Sequence, residues 1–286
     1  MSVSPRIAFQ GELGAFSEEA IRNIDPRATA IPCRDFIDVA QMVERGDVDA
    51  GMLPIENTLA GSVVGSYDAL TGCESLHVVA ETVVEIHHCA LGIRGASLDA
   101  LATVESHPVA LAQCTRWLRG HASIAVRAAY DTAGAAREIA ARGDARAAAI
   151  AGRHAAARYD LEILAADIED RSDNQTRFLM VARAPRVPES GSRARTALLV
   201  TTPNVPGALL RVLEPLARHR INMSKLESRP TDEPWHYRFF LELDHAAGDP
   251  SLAAAIGELG GATESLRVLG TYARSLAGRA SSGAPD

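Results

Sequence analysis

Thr176-Arg177-Phe178 sets a hydroxyl, a guanidinium and an aromatic ring at consecutive positions of a strand-like run. Side chains alternate along a strand, so Thr176 and Phe178 share one face and Arg177 takes the other. A threonine hydroxyl is a poor acid at neutral pH, so it more readily donates a hydrogen bond or relays a proton than acts as a free acid. Arg177 can hold a carboxylate through paired N–H bonds. Glu56-Asn57-Thr58 follows a buried strand. Asn57 and Thr58 can donate to carboxylate or hydroxyl oxygens. Glu56 can cap a helix or orient a neighbour, and becomes a candidate acid if burial keeps it protonated. Ser106-His107-Pro108 opens a helix, with Ser106 as its N-cap, where free N–H groups and the dipole favour an anion. The Gly11–Gly14 turn can offer backbone N–H groups to a carboxylate and lacks the spacing of nucleotide loops. Hydrogen-bond donation and anion binding are the chemistry these clusters can share.

Other polar residues read as structure. The neighbours His87 and His88 point to opposite faces of a strand and do not chelate one ion. Gln113 and Cys114 lie about two turns into the helix that starts at Pro108 and runs to Gly120; Gln113 faces a different direction, and Cys114 packs. Four scattered cysteines without CxxC spacing give neither a zinc site nor a disulfide framework.

Short strands alternating with helices place these clusters. Strands are read at 6–9, 31–33, 48–53, within 76–93, and at 101–104, 123–127, 146–150 and 161–168, with helices between them. The pattern implies βαβ units, mainly parallel sheets, and two α/β lobes (1–76 with 161–183, and 77–160) around a cleft near the strand ends. Residues 184–195, rich in Pro, Gly, Ser and Arg, read as a linker. A β-α-β-β-α-β pattern follows over 196–275, a ferredoxin-like unit. The small polar tail 276–286 reads as disordered.

The chain has 286 residues with 29 Lys plus Arg against 36 Asp plus Glu, a formal charge of −7. That balance argues against general affinity for nucleic acid or anionic membranes. Lys225 is the only lysine, so an anion clamp falls to arginine or a helix N-terminus. No apolar run reaches membrane-spanning length, and MSVSPRIAFQ shows no signal peptide. A soluble, cytoplasmic protein is the expectation.

Four motifs in order, Gly11-Glu-Leu-Gly-Ala-Phe-Ser17, Pro54-Ile-Glu-Asn-Thr58 with Gly61-Ser-Val63, Ser106-His-Pro108 with Ala112-Gln-Cys114, and Asn174-Gln-Thr-Arg-Phe178, resemble the prephenate dehydratase family. Pro206-Gly-Ala-Leu209 and Glu227-Ser-Arg-Pro230 resemble an ACT domain. Two positions depart from the family pattern: Ala15 stands where Ser or Thr is usual, and Thr58 where Ser is usual. The resemblance implies a two-lobed, periplasmic-binding-protein-like catalytic region over 1–183 and an ACT regulatory domain over 196–275. It implies that prephenate loses its ring hydroxyl and ring carboxylate to give phenylpyruvate, in L-phenylalanine biosynthesis. Thr176, Glu56, Asn57 and Thr58 are then the catalytic candidates, and Arg177, Phe178, Ser106, His107 and Gly14 the substrate-binding ones. Phenylalanine as effector would use Gly207, Ala208, Leu209 and Asn222, with Glu227, Ser228 and Arg229 shaping or transmitting. ACT pairing implies a homodimer or homotetramer. With no chorismate mutase segment before residue 6, the monofunctional form is the expectation. Arogenate dehydratase and a noncatalytic aromatic amino-acid sensor are the alternatives.

Overall fold

The computed structural model describes residues 4–275; the tail 276–286 lies outside them. The chain divides into two units, one of residues 1–73 with 82–179, the other of 74–81 with 180–286.

Two sheets are built mainly from the first unit, with residues 77–81 of one strand and 180–182 of another counted in the second. Strands β1 (Arg6–Gln10), β2 (Thr29–Cys33) and β3 (Ala50–Asn57), the short β4 (Gly61–Ser62), then β5 (His77–Glu85) alternate with helices α1 (Phe16–Ile24), α2 (Phe36–Arg45) and α3 (Val64–Gly72). Strands β6 (Cys89–Gly92), β7 (Thr103–Ser106), β8 (Ala125–Ala128), β9 (Ala147–Ala151) and β10 (Glu162–Ala165) follow, with helices α4 (Pro108–Ala112), α5 (Thr115–Gly120), α6 (Thr132–Arg142) and α7 (Arg153–Tyr159), and β11 (Gln175–Ala182) closes the series. The strand orders are β2-β1-β3-β11-β5, with β4 on β3, and β10-β6-β9-β7-β8. The chain therefore crosses between the sheets twice, at 86–88 and at 166–174.

The expected lobe boundaries need correction on this point. Strand β5 joins the first sheet, and β10 the second, because β10 pairs with β6 in antiparallel register, Glu162 opposite Gly92. The sheets are also mixed: β1 lies parallel to β2 and β3, and β7 to β8 and β9, but β6 is antiparallel to β9 and β10. Gly11 and Gly14 carry left-handed φ angles of 112° and 91° in the turn leaving β1, a conformation costly for other residues. Ala15 is the N-cap of α1 without a side-chain cap, and Glu18 reaches back to accept the Gly14 N–H at 2.6 Å.

The second unit has β12 (Arg193–Thr201), α8 (Ala208–Arg218), β13 (Asn222–Pro230), β14 (Tyr237–Ala246), α9 (Pro250–Gly260) and β15 (Ser265–Ala273), the βαββαβ order, in an antiparallel sheet β13-β14-β12-β15. Leu198, Val200, Val212, Leu216, Leu241 and Leu259 form its core between sheet and helices. The linker expected over 184–195 is shorter than that: Arg193 to Arg195 already pair with β14. The reason is electrostatic. Arg195 is buried, its Nη1 lies 2.8 Å from Glu81 Oε2 and 3.9 Å from Glu242, and its Nε donates to Asp244 at 2.8 Å. No helix among the described residues is long and apolar enough to cross a membrane.

Candidate active site

A cleft of about 500 Å³ in the first unit is lined from both sheets, by Phe16, Asn57, Thr176 and Phe178 on one side and His88, His107, Gln113 and Tyr130 on the other, among others. Strand alternation decides which residues reach it. Strand β3 runs on through Pro54 to Asn57, which is buried. Asn57 Oδ1 accepts the backbone N–H groups of Leu59 and Ala60 at 2.9 and 2.8 Å. Backbone N–H can only donate, so the orientation of the Asn57 amide is fixed. Its Nδ2 therefore donates, to Thr176 Oγ1 at 2.9 Å and to Asn174 Oδ1 at 2.8 Å. Thr176 is thus an acceptor toward Asn57, which leaves its own proton for another partner. Asn174 Nδ2 passes the polarity on to Gln113 Oε1 at 3.0 Å, and His88 Nε2 meets the same oxygen at 3.0 Å. Burial lowers the His88 pKa below the ordinary imidazole value, against the opposing Gln113 hydrogen bond and Glu169 charge.

Thr176, Asn57, Phe178 and His107 line the cleft. The other expected residues do not. Glu56 and Arg177 sit one residue out of phase with Asn57 and Thr176 and meet each other at 3.4 Å, so neither lines this cleft. Thr58 ties β3 to the start of β11, its hydroxyl donating to Asp173 O at 2.9 Å and accepting the Gln175 N–H at 3.0 Å. Ser106 ends β7 fully buried and donates to Ile150 O at 2.6 Å, so the N-cap of α4 is His107, whose Nδ1 accepts the Val109 N–H at 3.3 Å. Gly14 lines a different hollow with Glu18 and His154.

Three network members, His88, Gln113 and Asn174, are not among the expected site residues. The expected helix 108–120 is broken at Gln113 and Cys114, because Asp170 caps α5 through the Thr115 and Arg116 N–H groups at 3.0 and 2.8 Å. The break turns Gln113 into the network. Cys114 stays in the core, its thiol pushed up to about 12 by burial, which leaves it unreactive.

The cleft lining holds no arginine or lysine among the described residues, while Asp35 and Asp131 are present. Both carboxylates serve helices: Asp35 caps α2, and Asp131 caps α6 and accepts the Gly134 and Glu12 N–H groups at 3.1 Å. Outside the cleft, His87, Asp167 and Glu169 bring three ligand atoms within 4.8 Å. Glu169 is already engaged by His87 Nδ1 and the His88 N–H, and Asp167 by Arg153 at 2.9 Å, which makes the group an ion-pair cluster.

In the second unit, Gly207 caps α8 in a left-handed conformation, ahead of Ala208 and Leu209. Asn222 begins the edge strand β13, along which exposure alternates, so Asn222 and Ser228 are exposed while Glu227 and Arg229 are half-buried.

The family model for prephenate dehydratase matches residues 7–186. The chain belongs to the prephenate dehydratase family. Its C-terminal part, residues 196–261, matches the ACT domain model. Arogenate dehydratase/prephenate dehydratase 2, chloroplastic, of Arabidopsis thaliana is 38% identical over 277 residues, covering 93% of this chain and 72% of that relative. A prephenate dehydratase of Arthrobacter aurescens, solved in complex with L-Phe, superposes with a TM-score of 0.87 at 33% identity, over 94% of this chain and 90% of that one. GqqA, described as a novel type of quorum-quenching acylase, gives 0.86 at 35% identity, over 94% and 98%. Prephenate dehydratase family membership makes this a dehydratase-type, lyase-family chain with an ACT domain consistent with regulation. The expectation of a cytoplasmic protein does not stand, because relatives at 38% and 35% identity are chloroplastic. The physical reason is that the composition of a folded domain carries no address.

Proposed function

We propose that the protein converts prephenate to phenylpyruvate, water and carbon dioxide. We further propose that it does so as a homodimer or homotetramer whose ACT domains bind phenylalanine as feedback effector. The observation that carries this reading is the Thr176 hydroxyl, oriented by Asn57 as a donor within the cleft. The reaction needs little else. The bond from ring to carboxylate breaks and its electron pair completes the aromatic ring. The C–O bond breaks toward oxygen, which takes one proton from solvent, relayed by the Thr176 hydroxyl, and leaves as water. Thr176 donates a hydrogen bond to that oxygen as charge develops on it. Neutral donors suit the ring carboxylate, since an ion pair in the ground state would hold back the group that must depart as carbon dioxide. Among the described residues the hydrogen-bond partner of Thr176 Oγ1 in the network is the Asn57 amide and not a base, which fits a donor better than a nucleophile.

Arogenate is the second reading. It replaces the ketone by an ammonium, and a cleft lined by Asp35 and Asp131 without arginine or lysine among the described residues suits a less negative substrate. Purified protein is assayed on both compounds beside Thr176→Ala. Wild type is expected to turn over prephenate, and the variant to lose about 10²–10⁴-fold in kcat/KM with folding intact. Turnover of arogenate alone replaces the first reading by the second, and an undiminished variant removes Thr176. Saturating phenylalanine is expected to lower turnover; unchanged kcat and KM end the effector proposal.

A further inference from the structure

We propose that His88 accepts the hydrogen bond of the substrate's ring hydroxyl and thereby fixes the orientation in which that hydroxyl leaves; this rests on the dehydratase reading above. The tautomer of His88 follows from polarity. Backbone N–H groups of Leu59 and Ala60 fix Asn57, Asn57 fixes Asn174, and Asn174 fixes Gln113 with its Oε1 as acceptor. Nε2 of His88, 3.0 Å from that oxygen, must then carry the hydrogen. In the neutral ring Nδ1 holds a bare lone pair. That nitrogen is buried and meets no hydrogen-bond partner among the described residues, although the side chain lines the cleft. The ring is held in place: its backbone N–H goes to Glu169 at 2.9 Å, its carbonyl accepts the Ile168 N–H at 2.9 Å, and the Phe16 ring stands edge-on at 5.8 Å.

A buried acceptor without a donor is costly, and a ligand that supplies the donor relieves it. Prephenate has one to give. Its two carboxylates are ionised at neutral pH and its ketone only accepts, which leaves the ring hydroxyl as its sole O–H. Donation from that hydroxyl to His88 Nδ1 turns the oxygen lone pairs toward the Thr176 proton, so the leaving oxygen is both held and assisted.

His88→Gln keeps an N–H donor for Gln113 and removes the ring acceptor. Its kcat is expected to fall about 10²-fold, the scale of a misplaced reacting group, equally on prephenate and arogenate because both carry the hydroxyl. A loss confined to arogenate hands the acceptor to the ammonium and overturns the proposal, as does an unchanged kcat. Wild-type protein that turns over neither compound fails the dehydratase reading itself, and this proposal with it. ¹⁵N spectra of histidine-labelled Thr176→Ala protein make the test independent of how His88→Gln folds. His88 is expected as the Nε2–H tautomer, with its Nδ1 resonance moving toward the hydrogen-bonded position when prephenate binds. An Nδ1–H tautomer, or no movement at saturation, defeats the idea.

Discussion

The cleft of the first unit and the interior of the second each bury a polar cluster, built from opposite materials. Around Thr176 the partners are amides, a hydroxyl and a neutral imidazole. Around Arg195 they are full charges, Glu81, Glu242 and Asp244. An amide has a donor end and an acceptor end, so a chain of amides has a direction that a backbone N–H can set and a distant hydroxyl can inherit. Ions attract without direction, and their strength depends on keeping every partner. The first material suits a site that must aim one proton, the second a site that must hold strands together.

Removing a partner separates the two most sharply. Arg195→Met leaves buried carboxylates without their cation and should cost about 3–5 kcal/mol of stability, read as a fall in the denaturation midpoint. A loss below about 1 kcal/mol would put the cluster among ordinary surface ion pairs. In the cleft, Asn57→Asp keeps an oxygen for the Leu59 and Ala60 N–H groups but has no hydrogen for Thr176. It should lower kcat by about 10²-fold, or about 2.7 kcal/mol of barrier, with little change in folding. Equal damage to stability and rate would show that the network is scaffold alone.

The smallest effect is in acid. Burial raises the Asp244 pKa most, but hydrogen bonds and charge from Arg195, with Arg274 and Ser224, outweigh it and hold the carboxyl below its usual range. A depressed carboxylate stabilises the fold above its unfolded pKa of about 3.9 and loses that contribution as pH falls through the folded value. The stability gap between wild type and Asp244→Asn should therefore shrink as pH drops below about 4. The gap for Asn57→Ala should stay flat over the same range, and a flat gap for Asp244→Asn would deny Asp244 its part in the cluster.

What the sequence conveyed was local. Alternation along 175–182 separates Thr176 and Phe178 from Arg177 without any coordinates. It also excludes a cleft position for Glu56 once β3 is known to continue past Pro54, and the proline hid that continuation. Gln113 was illegible because the residue that breaks its helix, Asp170, lies 55 positions away from Thr115. The part His88 plays was hidden for the same reason, because it depends on Gln113, 25 positions on. Arg195 looked like linker composition because its partners lie 49 and 114 positions distant.

The two crossings between the sheets of the first unit are bonded to each other: Ile86 N–H to Asn174 O at 2.8 Å, Ile168 N–H to His88 O at 2.9 Å, and Glu169 to His87 and His88. A pair of tethers laced in this way behaves as a spine. A rotation about it would leave the bonds within the spine intact, and displacement in a rotation grows with radius. Atoms on the spine travel least. His88 and Asn174 belong to it, so such a rotation would leave the aim of the site nearly unchanged while it parted the rim, where Glu12 holds Tyr130 and Arg137 at 2.9 and 2.6 Å.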